Sequence, residues 1–220
     1  MLRVLRSFMQ DRSGASAAEF ALVLPTFLLF LLGIIDVGRF IWFVNENEKA
    51  AQIGARWAVA TDIIPGGDIG CATSGAATAG LKCYSYAING IVDQGLPVPQ
   101  ANFPTVTCSS PSGTLACACA ATCPFSTTID ATAQTAFDAL VGRMQDIQPR
   151  LNSADVDVEY AWSGLGYSGD PNGPDVAPVV TVRIDSLEFR PLFLGSLIAI
   201  GIPGASYSLT MEDGAGTYSN

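Results

Sequence analysis

The stretch Arg12-Ser13-Gly14-Ala15-Ser16-Ala17-Ala18-Glu19-Phe20, running into the apolar segment Ala21–Val44, decides how the chain is built. From Ala15 to Ile35 the only charged side chain is Glu19. At about 1.5 Å per helical residue this run spans roughly 30 Å, the thickness of a hydrocarbon core. A membrane-crossing helix is expected there. Residues 1–14 hold three arginines (Arg3, Arg6, Arg12) against one aspartate, and positive charge ahead of a first apolar segment keeps that end in the cytoplasm. Asp36 then falls near the outer boundary, with Arg39 one turn on and able to pair with it. Pro25 lies inside the run and is expected to loosen or kink the helix. A charge in hydrocarbon costs roughly 2.5–3.5 kcal/mol even on lenient insertion scales, so Glu19 calls for a partner.

A cleaved secretory signal would place its small residues after the apolar run. Here they precede it, and the run is longer than such signals need. Working outward, Asn45–Thr61 continues the helix, with Ala50, Ile53, Trp57 and Ala60 at helical spacing as its apolar stripe. Gly54, Ala55 and Ala58 are small enough to admit a close neighbour. Pro65-Gly66-Gly67 ends the helix.

The composition narrows the function classes. The chain has 220 residues, 49% of them hydrophobic and 14% charged, enough for one globular domain besides an anchor. A net charge of -9 argues against nucleic acid as a partner. Histidine is absent, which removes Ser-His-Asp and Cys-His catalysis and the commonest metal ligand. No nucleophile with a base, no acid pair at useful spacing and no phosphate loop is legible, so no enzyme activity and no cofactor is expected.

All six cysteines (Cys71, Cys83, Cys108, Cys117, Cys119 and Cys123) follow the apolar segment. An even number beyond a membrane anchor reads as disulfides in an oxidising compartment, with the pairing left open. Cys117 and Cys119 are too close to pair comfortably with each other. A metal site on Cys117, Cys119 and Cys123 is the alternative, but the spacing departs from zinc patterns, so disulfides are the expectation and metal is not. Residues 66–130 otherwise read as irregular loop rich in Gly, Ala, Ser, Thr and Pro, with a short helix possible at Tyr84–Asp93. Ala131–Leu151 is amphipathic, with Ala133, Ala136, Phe137, Leu140, Val141, Met144 and Ile147 on one face.

Three strands with period-two alternation follow. Val156, Val158, Tyr160 and Trp162 alternate with acidic residues. Val180, Val182 and Ile184 share one face of the second strand, and Tyr207, Leu209 and Met211 one face of the third. The loop Asp170–Asp175 has oxygen ligands for Ca²⁺ but not the EF-hand pattern, and reads as turn chemistry. Leu192–Ile202 is apolar yet too short to span, and is expected as a buried crossover, with a partner or membrane-surface contact as the alternative. The fold class is therefore α+β: a long N-terminal transmembrane helix, then an antiparallel sheet packed with helices, plus a cysteine-rich loop insert. The expected divisions are 1–14 leader, 15–62 helix, 63–130 cysteine-rich region and 131–220 outer domain.

Gly14-Ala15, with Glu19 at the fifth position after the glycine and Phe20 next, resembles the class III signal of type IV pilin-like proteins. The fuller run Gly14–Pro25, with Ile34–Arg39 and Ala50–Arg56 in the same style, resembles the TadE-like family, minor pilins of Tad (Flp) pilus systems. The resemblance implies a minor pilin or pseudopilin, cut by a prepilin peptidase between Gly14 and Ala15. It also implies that Glu19 acts in assembly and that the partners are other pilins, the Tad machinery and the lipid bilayer. The implied location is the inner membrane, single-pass, N-terminus cytoplasmic, with the C-terminal domain periplasmic or in an extracellular pilus. A membrane-anchored envelope enzyme or a scaffold outside any filament is the alternative.

Overall fold

The computed structural model describes residues 15–61, 63–64, 92–122, 131–168, 176–185, 187–193 and 199–211. The first element, α1, is one helix from Ala15 to Ala60 with Pro25 inside it. Ser16–Ala60 is, among the described residues, the one helix long and apolar enough to cross a membrane. Short strands β1 (Val106–Ser109) and β2 (Ala116–Cys119) precede a second helix, α2 (Ala131–Gln145). Then come β3 (Val156–Ala161), β4 (Val179–Ile184), β5 (Glu188–Phe189), β6 (Ile200–Gly201) and β7 (Ala205–Thr210). The chain divides into two compact units, 1–43 with 188–200 and 44–187 with 201–220.

The larger unit is built on a five-stranded antiparallel sheet of order β2-β1-β3-β4-β7. The alternation read from sequence sets its inner face: Val156, Val158, Tyr160, Val180, Val182 and Ile184 are buried. Ala205 and Met211 are buried at the two ends of the last strand's inward row, and Tyr207 and Leu209 between them are half-buried. On the outer face Arg183 pairs with Glu159 at 2.9 Å. Helix α2 buries Ala133, Phe137, Leu140, Val141 and Met144 in the same core. The helix stops at Gln145 rather than Leu151. Gln148, just beyond it, is buried and donates to Asn47 Oδ1 at 3.0 Å.

Two expectations change. Within the stretch read as irregular loop, Val106–Ser109 and Ala116–Cys119 pair as a hairpin at the edge of the sheet. Four-residue strands are too short for a periodicity signal, and Ala-Cys-Ala-Cys carries no β-branched side chain. The second change is the buried face of the helix after Val44. Asn47, Ala50, Ala51, Gly54, Ala55 and Ala58 face the core, whereas Ile53 is exposed and Trp57 and Ala60 are half-buried. Small residues win because the helix lies close to its neighbours. A Cβ on Gly54 would come within 2.6 Å of Met144 Sδ and 3.1 Å of Val182 Cγ1. Trp57 instead lies under the Arg143 guanidinium, 4.8 Å from the ring centre.

Tyr160 is fully buried, and its Oη accepts the Ile64 N–H at 3.2 Å. Burial pushes its phenol well above the ordinary value of 10.0, only partly offset by that hydrogen bond. The folded state thus keeps its proton where the unfolded chain has lost it, so stability falls as pH rises past about 10. Tyr160→Phe is expected to cost about 1 kcal/mol at neutral pH and to flatten the alkaline decline. Urea unfolding in detergent at neutral and alkaline pH measures both. An equally steep decline in the variant would assign the effect elsewhere.

Candidate functional site

The N-terminal half of α1 presents its apolar side chains outward. Phe20, Leu22, Val23, Phe27, Leu29, Phe30, Ile34 and Ile35 are all exposed. Glu19, in the first turns of the helix, is exposed as well and makes no ion pair among the described residues. Ala15, the first of the described residues, is helical. Gly14 lies outside the described residues, so the expected processing bond is bounded on one side only.

At the other end of the apolar stretch stands Asp36, only 2% exposed. Its carboxylate accepts the backbone N–H groups of Leu192 at 2.9 Å and Phe193 at 2.8 Å, and the Arg39 guanidinium lies 3.3 Å away. The expected Asp36–Arg39 pair is present. The hold on residues 192 and 193 was not legible, because they stand far away in the chain. Phe189 packs edge-on against Phe40 at 5.5 Å and tilted against Phe43 at 6.0 Å, with Arg39 5.4 Å over its ring. Asp36, Val37, Phe40, Phe189, Pro191 and Ile200 line a small hollow.

The expectation of a buried crossover at Leu192–Ile202 is corrected. Leu192 is 61% exposed, Phe193 50% and Ile200 43%. Among the described residues of this stretch, Ile200 and Gly201 form β6, paired with β5, and Leu192, Phe193 and Ile200 stay out of the core. A charge-free apolar run identifies a segment that avoids water, but not whether protein or another apolar medium covers it.

Cys108 and Cys117 form a disulfide with their Cα atoms 4.0 Å apart. They stand directly opposite each other in the β1–β2 register, which explains why this pair meets. Cys119 is disulfide-bonded too. Cys71, Cys83 and Cys123 lie outside the described residues, as do the Asp170–Asp175 loop and nearly all of Tyr84–Asp93. Among the described residues no group of three or more His, Cys, Asp or Glu side chains is placed to hold a metal ion.

Helix, sheet and disulfide define a class: an α+β protein led by one helix of membrane-crossing length. The comparison with known families narrows it. Residues 14–56 match the family described as TadE-like protein, which makes this segment TadE-like and points to a Tad pilus-associated protein. The match starts at Gly14, takes in Glu19 and Asp36, and ends two residues past Gly54. No curated protein and no solved structure gives a significant match.

Proposed function

We propose that the chain is a minor pilin or pseudopilin that takes part in assembly of a Tad (Flp) type IV pilus. In this reading α1 anchors it in the inner membrane with the leader in the cytoplasm. The α+β domain stands on the periplasmic side or within an extracellular pilus. Prepilin peptidase cuts between Gly14 and Ala15, and Glu19 engages a neighbouring pilin. The chain acts through assembly with other pilins and the Tad machinery and performs no catalysis of its own. One observation carries the reading: the TadE-like match begins at the very glycine expected to precede the cut and runs on through the membrane-length helix.

Intact-mass and N-terminal analysis of protein purified from membranes tests it. A chain starting at Ala15 is expected. Gly14→Val should accumulate an uncut form, because a side chain at this position hinders close approach of the backbone to the peptidase. A native start at Met1, with Gly14→Val indistinguishable from the parent, would return the chain to the class of anchored scaffolds or envelope enzymes.

A further inference from the structure

We infer that the stretch Glu188–Phe193, together with Ile200, is a second membrane-seated element, resting in the outer headgroup and acyl boundary beside the helix and pinned there by Asp36. This rests on the reading of α1 as a membrane anchor. Residues 188–200 belong to the same compact unit as residues 1–43.

Three observations select lipid as the occupant. The first is continuity. Leu192, Phe193 and Ile200 are exposed beside a helix whose own Ile34, Ile35, Val37 and Ile41 are exposed, and from Pro191 to Pro203 the sequence has no charged residue. One apolar surface thus extends from the helix onto the segment, at the level where some 21 helical residues have already crossed roughly 30 Å of hydrocarbon.

The second is the backbone. Non-helical backbone entering a region poor in water must have its N–H groups satisfied by protein. The Asp36 carboxylate does this for Leu192 and Phe193, the two exposed residues next to the helix. Arg39 at 3.3 Å balances the charge that this buried acid brings.

The third is the placement of charge. Glu188 and Arg190, both exposed and 3.9 Å apart, precede the apolar part of the segment. Polar groups at one end and large apolar side chains at the other make an interfacial element of limited depth, rather than a second span. Protein packed on the same surface would be expected to meet these side chains with complementary apolar groups, and lipid needs none.

The test uses the full-length protein in phosphatidylethanolamine–phosphatidylglycerol vesicles containing a phospholipid with a diazirine on its acyl chain. After irradiation, adducts are located by peptide mapping. Label is expected within the apolar half of α1 and also within the segment around Leu192, Phe193 and Ile200. The paired change Leu192→Glu and Phe193→Glu is expected to abolish the segment's label and leave the helix labelled. Label on the helix alone would overturn this inference while leaving the anchor intact. Label on neither would overturn the anchor reading itself. Crosslinks from the segment to a second protein chain in place of lipid would show a docking site for protein and equally remove the proposal. Undiminished label in the double variant would show that the apolar side chains do not seat it.

Discussion

Glu19→Ala is expected to enter the membrane as the parent chain does, yet to lose its crosslinks to other pilins and its co-purification with them. Processing after Gly14 would leave a new α-amino group on Ala15, which is helical. Four residues on, Glu19 lies about 6 Å further along the axis. Isolated charges at that depth are costly, and each lacks enough water to be screened well. On the proposed reading, in a bundle of such helices the carboxylate of one subunit would meet the amino group of the next, cancelling both charges and fixing the register between neighbours. Within its own chain Glu19 is exposed and has no ion pair among the described residues, which leaves it free for this use. Glu19→Gln should fail like the alanine variant, since charge and not shape makes the contact. Crosslinking in membranes and counts of surface pili provide the readout. Normal piliation with unchanged crosslinks in both variants would strip Glu19 of this role.

Gly54→Leu is expected to destabilise the domain by about 3 kcal/mol or more, at the upper end of what overpacking costs. A first added carbon already comes within 2.6 Å of Met144 Sδ and 3.1 Å of Val182 Cγ1. Met144 is flexible, but it is fully buried, and native cores are packed closely enough to resist its displacement. Val182 is β-branched and sits in the middle of the sheet, so it yields less. Gly54→Ala separates the competing terms. Removing a mid-helix glycine gains about 1 kcal/mol of helix propensity, against roughly 1–3 kcal/mol for the crowding. A small net loss is expected for alanine and a large one for leucine. Denaturant midpoints of the full-length protein in detergent measure the difference. Equal stability of all three proteins would mean that the helix does not press on Met144 and Val182 in solution.

The elements most legible in the sequence were those with long or regular patterns. The charge-poor run after Gly14 marks the first helix, and the spacing of Phe137, Leu140, Val141 and Met144 marks the second. The alternating valines of β3 and β4 lie inward as their period demands. Legibility failed where size and hydrophobicity part company. Ile53 and Trp57 are the larger apolar residues after Val44, but closeness to Met144 and Val182 requires Gly54 and alanines on the buried side. It failed again at Val106–Ser109 and Ala116–Cys119, which are strands because β3 offers an edge, not because their own residues insist on it. The candidate assembly segment could be read from local residues alone, since leader, glycine, glutamate and apolar run are adjacent. The Asp36 contact with residues 192 and 193 depends on a pairing across most of the chain, for which local spacing holds no signal. Cysteine pairing was open for the same reason until the β1–β2 register placed Cys108 opposite Cys117.

The core of the domain joins residues that lie far apart in the chain. Ala50 and Ala51, from the end of the first helix, share one apolar cluster with Met211, just past the last strand. Between them in the sequence stand every other strand and the second helix. The full energetic reward for this cluster arrives only after a long stretch of chain has been closed. A ribosome or translocon that has released the first hundred residues therefore holds a helix whose small-residue face still lacks the sheet and second helix it packs on. If the domain is carried across a membrane, it crosses unfolded, and acquires its native core only when the final strand emerges to complete the sheet beside β4. Completion of the core is thereby timed by the last strand, far along the chain from the TadE-like segment.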